Sequence, residues 1–300
     1  MESSLKRRVI GWIAVALSIA VTCVWAFWGI IETFHEGWYY DAWWLNVGMM
    51  FLQHLSPMLL FLAVTLVAIR WPRIGSCLHA LLAVGIACFF RVASNAAVLL
   101  LMLPLLGIGA LYWFGRPRPR KLALTLAIGL PLLVLLVFGA EPVLRVARRV
   151  DDGNLQARVV HGNDLDLIWA PDGPGWPRAG ADWHEAQHAC ACLSEDGRTL
   201  APDRLHIWRL PTVNEAVRSM ARHGRNSGGV WDPAAGVASY KTTPDKESPL
   251  WNVHSQIIYW WTATEVDDTH AYVIAYNGKV WKRAKEYGPA YLGFRCVKEP

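Results

Sequence analysis

Glu32, His35 and Glu36 stand at i, i+3 and i+4 between the first two apolar segments of the chain. On a continuing helix they share one face. A Glu-x-x-His pair with a further carboxylate is the donor set with which helix bundles hold metals. His54, one or two turns into the next apolar segment, is the fourth candidate ligand, because ionisable groups at membrane depth mark functional sites. A bundle site of this kind needs a second Glu-x-x-His, and the apolar half, residues 1–140, has none. Placement of these residues at the water interface, where polar groups cost little, therefore stands beside a metal or proton site. His184-Glu185-x-x-His188 has the HExxH spacing that can bind zinc. An exposed helix face is the simpler expectation for both.

These residues sit in a chain of two halves. Of its 300 residues, 54% are hydrophobic and 18% charged, which excludes a disordered chain and argues against an ordinary soluble enzyme. Residues 1–140 carry 10 Lys+Arg and 4 Asp+Glu, while 141–300 carry 19 and 20. The basic excess thus belongs to the apolar half, where it reads as membrane orientation charge and implies no nucleic-acid partner. Five apolar stretches predict five transmembrane helices at 9–31, 47–69, 74–90, 92–114 and 122–140. Nine Lys and Arg fall in the loops 1–8, 70–73 and 115–121, against Arg91 alone in the others. The N-terminus is therefore expected in the cytoplasm and the C-terminal half outside it. Arg145, Arg148 and Arg149 resist this pattern and are read as snorkelling from an interfacial helix at 142–150. Trp12, Trp25, Trp28, Trp38, Trp43, Trp44, Trp71 and Trp113 lie near the expected span ends, as an aromatic belt would. Cys23, Cys77 and Cys88 lie within spans and read as small core residues.

After a charged connector, 141–165, the character changes to a mixed α+β pattern broken by Gly and Pro, 166–300. A helix is predicted at 182–193, with Trp183, Ala186, Cys190 and Leu193 on one face and a capping box from Asp182 and Glu185. A second, at 213–222, follows Pro211 and is capped by Thr212 and Glu215. The stretch 225–252 reads as irregular. Strands are expected at 259–264, 271–276, 279–283 and 291–297, with Asn277-Gly278 as a hairpin turn that takes positive φ at both positions.

Several of these segments together carry a resemblance. Trp183-x-x-Ala186-x-x-x-Cys190-x-x-Leu193 is followed by Trp208-Arg209-Leu210-Pro211-Thr212-x-x-Glu215, then by Tyr259-Trp260, the Asn-Gly hairpin and Phe294-Arg295-Cys296-Val297. In this order they resemble the DUF1566 or Lcl C-terminal domain family, over residues 165–298. That family is similar to the C-type-lectin-like fold and to the formylglycine-generating, sulfatase-modifying factor enzymes. The resemblance implies a disulfide between Cys190 and Cys296, hence an oxidising compartment. Cys192 has no match in it and is expected as a free thiol or an alternative partner. Arg209, Glu215 and Arg295 are expected in scaffold roles. The enzymes' chemistry needs a cysteine pair near the C-terminus, and only Cys296 lies in the last hundred residues. The carboxylate-Pro-carboxamide and Trp-Asn-Asp strings of calcium lectins are absent, and Asp267-Asp268 alone is a solvated turn.

The expected architecture is a multi-pass α-helical membrane domain followed by an α+β C-type-lectin-like domain. The expected setting is the bacterial inner membrane, with the C-terminal domain periplasmic. The expected function is non-catalytic capture of a glycan, peptidoglycan or protein ligand, without cofactor. Trp231, Tyr240 and Trp251 are the candidate ligand contacts, with Trp260 and Trp281 expected in the core. A sulfatase-modifying-type enzyme and a membrane site at Glu32, His35 and Glu36 are the alternatives.

Overall fold

A computed structural model of the chain describes residues 2–89 and 96–300. It forms two units. The first runs to Gly37 and resumes over Trp44–Leu144; the second takes Trp38–Trp43 and Arg145–Pro300.

The first unit is helical: α1 (Glu2–His35), α2 (Trp43–Met49), a π-helical turn (Met50–His54), α3 (Ser56–Arg70), α4 (Pro72–Phe89), α5 (Ala96–Phe114) and α6 (Arg120–Ala147). Among the described residues two helices are long and apolar enough to cross a membrane, Ser4–His35 and Arg120–Ala147; a third results if the bent pair Trp43–His54 and Ser56–Arg70 is one span. Leu52, Leu81 and Leu136 face outward at 77%, 66% and 71% exposure. A surface this apolar suits lipid and not water. Within, hydroxyls are satisfied along the helix, as where Ser18 and Thr22 each donate to the carbonyl four residues back.

Several expectations change here. The segment 47–69 is not one straight span: its two halves meet at 59°. The π turn displaces the bonding ladder, and Pro57 at the start of α3 lacks an N–H. The bend is accommodated by Gly29, where any Cβ would lie 2.4 Å from the His54 carbonyl oxygen. No separate interfacial helix begins at 142, since α6 continues through Pro142 to Ala147. Cys77 and Cys88 are exposed on the outside of the unit and are not core residues. Among the described residues α4 and α5 contribute shorter apolar stretches, Pro72–Cys88 and Met102–Phe114. The end of the expected span 74–90, the start of 92–114 and Arg91 lie outside the described residues.

The second unit contains β1 (Arg158–Gly162), β2 (Leu165–Trp169), α7 (Trp183–Cys192), α8 (Val213–Ser219), the short strands β3 (Ala221–Arg222), β4 (Arg225–Asn226), β5 (Val230–Asp232) and β6 (Val237–Ser239), then β7 (Tyr259–Glu265), β8 (His270–Ala275), β9 (Val280–Ala284), β10 (Leu292–Gly293) and β11 (Val297–Lys298). They make four small sheets, ordered β1-β2-β11, β10-β7-β8-β9, β3-β4 and β5-β6. The β7–β8 pair divides the interior. Adjacent strand residues point to opposite faces, so Trp260 joins a core with Val213, Ala216 and Val217 of α8, while Trp261 joins a core with Trp183, Ala186 and Cys190 of α7. Both helices start at complete capping boxes, Asp182 with Glu185 and Thr212 with Glu215. Cys190 and Cys296 form a disulfide, which ties α7 to the segment before β11.

Tertiary contacts redraw four boundaries. From Arg145 onward the connector belongs to the second unit, where β1 pairs with β2 along its whole length. Helix α8 stops at Ser219 instead of 222, because Arg222 leaves to pair with Asp245 and the His223 amide donates to Glu247. The stretch 225–252 contains the β5–β6 hairpin, whose turn is held by Asp232 accepting from the amides of Ala234 and Ala235. The expected last strand is split. Leu292–Gly293 pairs in parallel with β7, and Val297–Lys298 pairs with β2. Between them the Cys296 amide donates to Gly175, so the chain crosses from one sheet to another. At the β8–β9 hairpin only Gly278 takes positive φ, at 81°. Its amide donates to Ala275 and the Ala275 amide donates to Lys279, an ordinary turn closed by a glycine bulge.

Candidate functional site

The Trp-Arg-Leu-Pro-Thr segment is a structural clasp. Trp208 is buried and its indole donates to the Ser194 carbonyl at 2.9 Å. Leu210 is fully buried, and the Pro211 carbonyl accepts from the Ala263 amide of β7. Arg209 grips Glu215 through two hydrogen bonds, 2.7 and 2.6 Å, and reaches Glu299 at 2.8 Å. Glu215 in turn accepts from the Thr212 amide. Burial alone would push the Glu215 carboxyl up, but the Arg209 guanidinium and the Thr212 amide hold it below its ordinary value.

Arg295 is wholly buried and has no carboxylate partner among the described residues. It donates to the carbonyls of Ala170, Pro249 and Leu250 and lies 3.6 Å from the centre of the Trp176 ring. It pins three loops together, with the indole face sharing its charge.

A buried ionic group supports the loops beside these. Asp245 is paired with Arg149 at 2.9 Å and with Arg222 at 2.7 Å, and all three side chains are at most 12% exposed. Burial raises the Asp245 carboxyl, and the two guanidinium groups outweigh it, so its pKa is lowered. Glu247 accepts from the amides of Val150 and His223. Lys246, fully enclosed, donates to the Ser255 carbonyl. Burial, with Arg149 adding repulsion, brings its pKa down to about 7.

That carbonyl belongs to a turn in which Asn252 accepts from the His254 amide at 2.8 Å, leaving the His254 ring on the surface. Here the second unit has a groove of about 480 Å³. Three stretches of chain line it, Tyr39 to Asp41, Asp151 to Leu155 and Asn252 to Gln256, together with Arg178. His254 Nδ1 is 3.0 Å from Asp41 and Nε2 is 3.2 Å from Asp151. A neutral ring donates to one of the two carboxylates, an imidazolium to both. Gln256 donates to the Tyr39 hydroxyl at 3.0 Å, and the Tyr39 and Tyr40 rings lie 4.5 Å apart. Burial, with the Tyr40 hydroxyl adding to it, raises the Tyr39 phenol above its ordinary pKa.

The residues singled out from the sequence lie elsewhere. Trp251 is 4% exposed and stacked on Trp260 at 3.7 Å and 9°, so it is a core residue and not a surface contact. Trp281, expected in the core, is 44% exposed. Trp231 is half-buried, edge-on to Tyr272. The Tyr240 hydroxyl donates to the Gly278 carbonyl at 3.0 Å, and burial raises its pKa. Cys192 is a free thiol, buried beside His188 at 3.8 Å, while His184 and His188 are exposed.

Among the described residues no three His, Cys, Asp or Glu side chains converge closely enough to hold a metal, which applies also to Glu32, His35, Glu36 and His54. His54 Nε2 does come close to the end of α1, 3.2 Å from where a Cβ on Gly37 would stand. In the groove the carboxylates sit on opposite nitrogens of one imidazole, which chelates nothing. The groove itself was hidden in the sequence, since its walls lie about 110 and 210 residues apart along the chain. The one local sign was an aromatic pair beside an acid, Tyr39-Tyr40-Asp41, in a loop free of Lys and Arg. No family model matches this chain, and no curated protein matches it.

Proposed function

We propose that this chain is a membrane-anchored ligand-binding protein, held by apolar helices in the bacterial cytoplasmic membrane with its N-terminus inside. Its C-type-lectin-like module stands outside and captures a glycan, a peptidoglycan segment or a protein loop, without catalysis. The groove is the observation that carries this reading. Its volume of about 480 Å³ falls within the roughly 300–1,000 Å³ typical of ligand sites. Its lining joins two tyrosine rings to amides, carboxylates and a guanidinium. Sugars need that combination, with ring faces for their C–H surfaces and planar polar groups for their hydroxyls.

Three observations support the location. The loop charges follow the positive-inside pattern. The Cys190–Cys296 disulfide fits an oxidising compartment. The loop Trp38–Trp43, which directly follows α1, belongs to the same compact unit as Arg145–Pro300. The pairing of Cys296 with Cys190 and the burial of Cys192 support the non-catalytic reading over the sulfatase-modifying alternative.

The test is binding of a panel of glycans and muropeptides to the full-length chain in detergent. The His254→Ala and Gln256→Ala variants are expected to weaken capture by about tenfold or more, and Trp281→Ala to leave it unchanged. Binding that survives both groove variants would exclude the groove. A C-terminal reporter active only in the cytoplasm would exclude the location.

A further inference from the structure

The first unit carries a second feature that the groove does not involve. At one of its ends two arginine-rich segments are locked together. Gly11 of α1 and Gly115 after α5 meet backbone to backbone: a Cβ on Gly11 would lie 2.4 Å from the Pro117 nitrogen, and one on Gly115 would lie 2.5 Å from the Gly11 nitrogen. The Arg116 amide donates to the Arg7 carbonyl at 2.9 Å, and the Trp12 indole donates to the Arg118 carbonyl at 2.9 Å. This contact fixes Arg7 and Arg8 beside Arg116, Arg118, Arg120 and Lys121. Two cavities open there. One, of about 550 Å³, is lined by Arg8, Arg118, Pro119, Arg120 and Lys121. The other, of about 240 Å³, is lined by Arg7, Arg73 and Arg116 together with Pro72, Trp113 and Phe114.

Among the described residues none of these seven cations has an acidic side-chain partner. Beyond Glu2 the next carboxylate in sequence is Glu32, and an unbroken α1 places it about 36 Å along the helix from Arg8 at 1.5 Å per residue. Seven like charges crowded at the edge of an apolar unit repel one another unless an anion lies among them.

We propose that these cavities bind the phosphate of an anionic glycerolipid, with the arginines on its oxygens and Trp113, Phe114 and Pro72 against the glycerol and upper acyl region. Arginine matches phosphate geometry through paired N–H donors, and a cationic recess beside membrane helices is where lipid headgroups are held. The aromatic lining decides for a lipid over a soluble phosphate, which has no apolar part to cover it. The inference rests on the membrane association of the first unit and is independent of the groove.

The experiment is native mass spectrometry of the full-length chain, released from micelles containing phosphatidylglycerol, cardiolipin and phosphatidylcholine in equal amounts. The two anionic lipids are expected to be retained over phosphatidylcholine by about tenfold. The Arg116→Gln/Arg118→Gln/Arg120→Gln variant should lose that preference, and the corresponding triple Lys variant should keep most of it. Should the Gln variant not fold, the wild type in about 0.5 M salt serves instead, and the anionic lipids should be released there. Equal retention of phosphatidylcholine, retention indifferent to both the Gln variant and salt, or displacement by millimolar glycerol 3-phosphate would each overturn the proposal.

Discussion

Removing the disulfide tests the tertiary organisation of the module most directly. Cys190 and Cys296 are separated by 106 residues. Cutting that link frees the denatured chain from a closed loop, and the chain-entropy treatment gives about 4.8 kcal/mol at 25 °C for this loop length. Both sulfurs are fully buried between α7 and the loop after β2, so the folded state gains no compensating hydration. The variant is Cys190→Ala/Cys296→Ala in a Cys192→Ala background, which leaves the module no thiol to re-pair. The assay is urea unfolding of the full-length chain in detergent, followed by tryptophan emission, since Trp169, Trp208, Trp260 and Trp261 are almost wholly enclosed in this module. At an m-value of roughly 2 kcal/mol/M the midpoint should fall by about 2 M. Dithiothreitol should reproduce the shift in the Cys192→Ala parent and leave the triple variant unchanged. A midpoint lowered by less than about 0.5 M would show that the bond carries little of the stability and refute the loop-closure reasoning.

Asp245→Asn leaves Arg149 and Arg222 buried without their carboxylate, and unfolding of the full-length chain should register a loss of about 3–5 kcal/mol. Arg149→Met should cost less, because Asp245 keeps Arg222. Lys246 gives a pH signature: its folded pKa is about 7 against an ordinary 10.5, so between those values the unfolded chain binds more protons and stability rises with pH. Lys246→Met should flatten that rise, measured as urea midpoints from pH 7 to 10. An unchanged slope would mean that the ammonium is hydrated in the fold.

Much of the module was readable locally. Both capping boxes, the buried face of α7 and the strands β7 to β9 follow from residues within a few positions of one another, because caps and periodicities are short-range. The apolar helices are likewise a matter of composition along one segment. The errors fall where distant residues intervene. Trp251 and Trp281 are chemically alike, yet one stacks on Trp260 and the other faces solvent, a distinction set by which strand lies opposite. Helix α8 ends early because Asp245 and Glu247 claim Arg222 and the His223 amide.

Sequence by itself therefore determined that apolar helices precede a tryptophan-rich module with two capped helices, since these depend on neighbours along the chain. Tertiary structure alone decided where a ligand site can form. Tyr39 to Asp41, Asp151 and His254 meet in one groove, and Arg7 and Arg8 meet Arg116 to Lys121 at another. In both places the meeting depends on close backbone approach or hydrogen bonds between segments on the order of a hundred residues apart, and such contacts leave no periodicity to read.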